Sequence, residues 1–300
     1  MKSCSIQRLF LLCLSLFTTL ATETLAGEAS VETLKALAEK GDNSAQFQLG
    51  KSYERGEGVP QDVAKAVEFY RKAAEQGNFK AQHNLGLMYL EGRGVKKDES
   101  EAAKWFRLAA VQGAALSQDA LGSMLAKGKG VPKDCKEAAT WYRKAVEQDL
   151  LSAQMHLGEL YYFGDEGVPQ DYTAAAPLLL KAAERGNAWA QNTVGAMKEN
   201  GQGFAMNVGE AAAWFRQAAE QGDARGRFNL GRAYTVGTLG VKKDPAKAYM
   251  WLKLSTEQGG TPAKGFLMDF RKSMSAEEIA EGERLVLEFH RRESPVNKSQ

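Results

Sequence analysis

Apolar positions recur in one phase through most of this chain. Ala45, Leu49 and Tyr53 stand at i, i+4 and i+8, the spacing of one helical face. Gly50 lies beside them, where a missing side chain lets another helix approach. Gly56 and Gly58 end that helix, and Asp62 is placed to cap a second. Ala66, Phe69, Ala73 and Ala74 line the apolar face of the second helix, and Gly77 ends it. Ser44 is the expected cap of the first helix, which runs to about Arg55; the second runs to about Gln76. No alternation of β-branched residues appears, so no strands are predicted.

The unit repeats. The string Ala-Gln-x-x-Leu-Gly begins at Ala45, Ala81, Ser117, Ala153, Ala190 and Gly226, and a degraded copy begins at Ala263. The steps are 36, 36, 36, 37, 36 and 37 residues. Two further landmarks keep phase: Gly-Val-x-x-Asp, as at Gly58 to Asp62, and an aromatic pair, as at Phe69-Tyr70, Trp105-Phe106, Trp141-Tyr142 and Trp214-Phe215. The 37-residue steps place their extra residue in the turn between the two helices, near Asp165-Glu166 and Thr238-Leu239. A fixed period of this length predicts an array whose units bury their apolar faces only by stacking. The expected fold is all-α: an αα-hairpin solenoid of about six to seven repeats of 36 residues with a C-terminal capping helix. Val31 to Lys40 reads as a lone second helix at the start, and Ala263 to Arg271 as a last first helix. Ser275 to Glu278 forms a capping box opening an amphipathic helix with Ile279, Leu285, Val286 and Phe289. Pro177 falls inside a second helix, where it removes a backbone bond and is expected to bend the array.

The ends have a different character. Residues 1–26 read as a signal peptide: Lys2 and Arg8 precede an apolar run from Leu9 to Leu20, and Thr24-Leu25-Ala26 offers a small-x-small cleavage site. The run is shorter than the roughly 20 residues that span a bilayer. The expected division is 1–26 signal peptide, 27–272 solenoid, 273–292 capping helix and 293–300 disordered tail. A periplasmic or secreted location follows, with no stable membrane insertion after cleavage. Export would remove Cys4 and Cys13, leaving Cys135, which cannot close an internal disulfide.

The repeat resembles the Sel-one-like repeat (SLR) family, a relative of the tetratricopeptide repeat. The residues that carry the resemblance are Ala-Gln-x-x-Leu-Gly-x-x-Tyr, Gly-x-Gly-Val-x-x-Asp and Ala-x-x-Trp-[Phe/Tyr]-Arg-x-Ala-Ala-x-Gln-Gly, over about residues 30–272. The resemblance implies a right-handed superhelix that scaffolds complexes or binds peptides, and it associates exported bacterial members with envelope processes and host interaction. Repeat five departs from the pattern at Val194, Lys198 and Phe204. Repeat four departs at Leu178, in the place of Trp.

The face of each first helix opposite the Ala-Leu stripe is expected to line a concave groove. Its large residues are Phe47, His83, Leu87, Leu90, Leu116, Met155, Tyr162, Trp189 and Phe228. A face that only met water would be polar, so Phe47, His83, Leu87, Leu90, Met155, Tyr162, Trp189 and Phe228 are the candidate partner-binding residues. A competing reading half-buries some of them against neighbouring first helices. Leu87, Met155, Tyr162 and Trp189 are expected to touch the partner, a protein or peptide.

Charge and chemistry narrow the function further. Lys and Arg total 39 against 37 Asp and Glu, a net charge of +2, so no basic field suited to nucleic acid exists. No Ser-x-x-Lys, His-Glu-x-x-His or Cys-x-x-Cys occurs, and the three histidines are scattered. Gly92-Arg93-Gly94 and Gly128-Lys129-Gly130 look faintly like phosphate loops, but they follow helices and recur with the repeat, as turns do. The expected function is a non-enzymatic exported scaffold without metal or cofactor. The alternatives are a β-lactam- or cell-wall-directed hydrolase, and a structural envelope component that assembles through its ends.

Overall fold

The computed structural model describes residues 31–259 and 261–293. The signal-like segment 1–26 and the tail residues 294–300 lie outside the described residues. Residues 31–39 are helical and are called α1. There follow α2 (Asn43–Arg55), α3 (Val63–Glu75), α4 (Phe79–Glu91), α5 (Glu99–Val111), α6 (Ala115–Lys127) and α7 (Cys135–Val146). Then come α8 (Leu151–Phe163), α9 (Tyr172–Glu184), α10 (Ala188–Asn200), α11 (Val208–Glu220), α12 (Ala224–Val236), α13 (Pro245–Glu257), α14 (Thr261–Arg271) and α15 (Ala276–Glu293). No strand appears among the described residues; Asp165 and Val168 make an isolated bridge. The chain forms two compact units, one up to Gln148 and one from Asp149. In each, successive helices pack as antiparallel pairs stacked side by side, an all-α solenoid arrangement.

Each pair closes on a glycine. A Cβ on Gly86 of α4 would lie 2.8 Å from Phe106 of α5, inside normal carbon–carbon contact. Gly50 meets Tyr70, Gly122 meets Tyr142, Gly158 meets Leu179, Gly195 meets Phe215 and Gly231 meets Leu252 in the same way. The second residue of each aromatic pair therefore fills the space inside a pair. The first faces outward or the neighbouring repeat; Trp105 packs on the core built around Tyr70 and Leu85.

Capping follows the repeat, with one correction. Asp62, Asp98, Asp134, Asp171, Asn207 and Asp244 cap the second helices through their side chains. Ser44 does not cap α2. Asp42 does, accepting from the Ala45 amide at 2.7 Å. The preceding glycine, at φ +90°, turns the chain so that Asp42, and not Ser44, faces the open amides. Asn78, Asn187 and Asp223 act alike in later repeats. The second glycine of the Gly-x-Gly turns is a packing residue: a Cβ on Gly94 would lie 2.7 Å from the Val63 carbonyl of the preceding repeat. The extra residues of the long repeats sit in the turns 164–171 and 237–244. Helix α9 continues through Pro177.

A buried polar ladder joins successive repeats. Gln46, Gln82 and Gln118 donate to the carbonyls of Ala38, Ala74 and Ala110 at 3.1, 3.0 and 3.1 Å. Their own Oε1 atoms accept from Gln76, Gln112 and Gln148. The second unit resumes the pattern at Gln191, which donates to Ala183 and accepts from Gln221. Two rungs depart from it. Arg185 stands where a glutamine would reach Gln154, and it bonds Asp149 at 2.5 Å instead. Gln154 donates to Asp149 at 2.7 Å, while its buried Oε1 has no hydrogen-bond partner among the described residues. In the last full repeat Arg227 replaces glutamine and donates to the Ala219 and Leu254 carbonyls.

At the C-terminal end the capping box forms as expected: the Glu278 amide donates to Ser275 Oγ, and the Ser275 amide donates to Glu278 Oε2. Helix α15 folds back on α13, with Gly282 against Tyr249 and Phe289 edge-on to Trp251. Glu293, read from the sequence as tail, is the last residue of α15.

Candidate functional site

The face expected to bind a partner is carried by the first helices: α2, α4 and α6 in one unit, and α8, α10, α12 and α14 in the other. In the first unit Phe47 is turned inward. It is only 9% exposed, belongs to the core, and its ring lies 5.8 Å from that of Tyr70. Little of it is left to meet a partner. His83 is half-buried between helices: Nδ1 lies 2.8 Å from Ser117 Oγ of α6, and the ring sits 5.5 Å from Phe106. Burial pulls the His83 imidazole pKa below its ordinary value. Leu87 and Leu90 are half-buried on α4. Leu116, on α6, is 58% exposed and is the most open large apolar residue of this face.

In the second unit Met155, Tyr162 and Trp189 are gathered around one core, built from α9 and α10 residues such as Leu179, Val194 and Met197. All three are half-buried there, as Leu87 and Leu90 are on α4. Tyr162 is held edge-on by Phe163 at 4.9 Å and by Tyr172 at 5.5 Å. Burial pushes the Tyr162 phenol pKa up, and the Arg225 cation opposes the shift. Phe228 stands apart from this cluster and meets Phe266 of α14 edge-on at 5.7 Å. Polar side chains beside them bind one another across repeats: Arg232 Nη2 donates to both oxygens of Glu199 at 2.8 and 2.9 Å, and Asn229 donates to Asn192 at 2.9 Å.

The eight candidates therefore divide. Phe47 and His83 are used largely between helices, Leu87 and Leu90 are half-buried on α4, Met155, Tyr162 and Trp189 are half-buried round one core, and Phe228 packs on Phe266 of α14. Phe163 was missed. It is 54% exposed, at the end of α8, in a place held by Arg55, Glu91 and Lys127 in the first three repeats. Asn200 and Val236 hold that place in repeats five and six, so the change from charged to uncharged after repeat three was a readable signal.

Cys135 is buried at the first position of α7. Among the described residues no group of three or more His, Cys, Asp or Glu could hold a metal ion. Among them, too, no helix is long and apolar enough to cross a membrane.

The chain shows clear likenesses to known proteins. It is 32% identical to a Sel1 repeat protein from Oxalobacter formigenes, covering 80% of this chain and 95% of that one, with a TM-score of 0.64. It is 37% identical to a protective antigen of uropathogenic Escherichia coli strains that displays an SLR fold, over 86% of this chain, with a TM-score of 0.54. This chain spans 62% of that antigen's length. The chitin synthase regulator SKT5 of Malassezia restricta is 38% identical over 91 residues, which is 29% of this chain and 6% of the regulator. The Sel1 repeat pattern itself matches six times, at residues 43–78, 79–113, 115–150, 151–187, 190–223 and 224–260. Sel1 repeat proteins act as protein–protein interaction scaffolds and are generally non-enzymatic. With six repeats in phase along most of its length, this chain belongs to the Sel1 repeat family.

Proposed function

We propose that this chain is a non-enzymatic scaffold that holds a polypeptide partner against its first helices, with Met155, Tyr162 and Trp189 as the main contact. The observation that carries the reading is that three large residues on α8 and α10 pack round one core and are only half-buried there. Such residues are held rigid by the fold below and keep a face for a partner, so little side-chain freedom is lost on binding. Arg225 and Phe163 at the edge supply a cation and a further apolar contact. Phe47, read from the sequence as a contact, contributes to the scaffold's core.

Export belongs to the same proposal. The signal-like residues 1–26 direct the chain to the periplasm or beyond the cell, and the likeness to a protective antigen of uropathogenic strains favours envelope or host-facing work. The test is photo-crosslinking in the source cell, with a benzophenone amino acid replacing Trp189 and, as controls, the exposed Lys65 and Lys104. A protein trapped from position 189 alone supports the reading. The same adducts from all three positions, or none from position 189, overturn it.

A further inference from the structure

Helix α14 occupies the first-helix place of a seventh repeat, but among the described residues no second helix lies across it. Helix α15 packs on α13. The consequence is visible at one position. Where the six preceding first helices carry Gly50, Gly86, Gly122, Gly158, Gly195 and Gly231 under a partner's side chain, α14 carries Met268, which is 63% exposed. Leu267 beside it stands where Leu49 and Leu85 are fully covered. Lys264, Leu267, Met268 and Arg271 are spaced i, i+3, i+4 and i+7, and so share one face of α14. Tyr249, Lys253 and Thr256 line the facing side of α13, and the two stripes enclose a cleft of about 730 Å³.

The charge of this cleft is one-sided. Of its ionic residues, Glu257 is engaged by His290 at 3.0 Å and Lys272 by Asp269 at 2.7 Å. Lys253, Lys264 and Arg271 form no ion pair among the described residues. The chain's own tail does not complement them: residues 294–300 bring Lys298 and no carboxylate side chain. A lipid surface is too flat to enter a recess between two helices, and an inorganic anion fills little of its volume. Lys264 and Arg271 lie about 10 Å apart along the helix axis, at 1.5 Å per residue. In a polyproline-II-like chain, side chains three residues apart share a face about 9 Å apart.

We propose that the α13–α14 cleft binds an acidic peptide segment of a partner protein, with carboxylates three residues apart on Lys264 and Arg271 and an apolar side chain between them on Leu267 and Met268. This surface differs from the Met155–Trp189 face, so either can fail without the other.

The probe is a fluorescein-labelled peptide of about a dozen residues with glutamate at every third position and leucine between, titrated by anisotropy against the full chain at low salt. Saturable binding is expected. The double variant Lys264→Gln/Arg271→Gln weakens it at least ~10-fold, and Met268→Ser weakens it severalfold, with helical circular dichroism unchanged. Lys96→Glu, in the other unit, leaves it unchanged. A glutamine version of the peptide does not bind. The proposal is overturned by the absence of saturable binding, or by binding that ignores the double variant or the peptide's charge. It is overturned equally if phosphatidylglycerol vesicles are held through these residues while the peptide is not. Self-association abolished by Arg271→Gln would give the cleft to a second copy, and tighter peptide binding after removal of residues 294–300 would give it to the tail.

Discussion

Replacing Gly86 by alanine should destabilise the first unit, although alanine is the better helix former. Within a helix that exchange favours alanine by about 1 kcal/mol. Against it stands the ring of Phe106. The new Cβ would lie 2.8, 2.8 and 3.1 Å from three of its carbons, where contact needs roughly 3.5 Å or more. The ring must therefore retreat by about 0.7 Å. It is fully buried, with His83 on one side and the alanines of α5 around it, so it has nowhere to go without moving backbone. Overpacking of this kind costs about 1–3 kcal/mol, with the rigid setting favouring the upper half, so the net loss is about 1–2 kcal/mol. Gly265→Ala in α14 makes the same exchange where no atom lies within 4 Å, and there the variant gains up to ~1 kcal/mol. Urea denaturation followed at 222 nm gives the sign for the chain. Hydrogen exchange of α4 and α5 peptides localises it, because arrays need not unfold in one step. If Gly86→Ala proves as stable as the parent, the close helix contact is not what selects glycine, and the reasoning falls.

Two further outcomes follow from the polar ladder and from the buried histidine. Gln118→Leu leaves the Ala110 carbonyl without its side-chain donor and costs about 1–2 kcal/mol. Gln118→Glu sets a buried carboxylate against that carbonyl and costs more, about 2–4 kcal/mol; both should speed exchange at the α5–α6 junction, and equal losses would deny the ladder a polar role. His83 has a pKa below its unfolded value, so its contribution is complete above about pH 6.5 and declines as acid protonates the unfolded chain preferentially. The urea midpoint should therefore fall between pH 7.5 and 5.5, and His83→Gln should flatten that fall; an unchanged slope in the variant would remove His83 as the cause.

The repeat period, the helix pairing, the capping aspartates of the second helices and the closing glycines were all legible in the sequence, because each is set by residues within a single 36-residue unit. Ser44 misled because it is a good cap two residues late, and only the left-handed glycine before Asp42 decides between them. The candidate face was legible in direction but not in cover. A helical wheel points Phe47 outward from the Ala-Leu stripe, but it does not say that Tyr70 lies across it. Met155, Tyr162 and Trp189 stay only half-buried because the core beneath them is already filled by Leu179 and Val194. The cleft beside α14 could not be read at all without knowing that α15 turns back onto α13.

The glutamine ladder bears on how such a chain changes length. Each rung reaches back eight residues to an alanine carbonyl and is met from 30 residues ahead, so every repeat carries both halves of its own coupling. A block of 36 residues can be duplicated or lost at any phase and its neighbours still join. A single inserted residue is tolerated in the turn inside a pair, as at 164–171 and 237–244, but in the turn between pairs it would pull glutamine from carbonyl. Genes of this kind should lengthen in whole repeats, and the rung at Gln154 and Arg185, where a buried oxygen has no partner among the described residues, is where an array could be cut and rejoined with least loss.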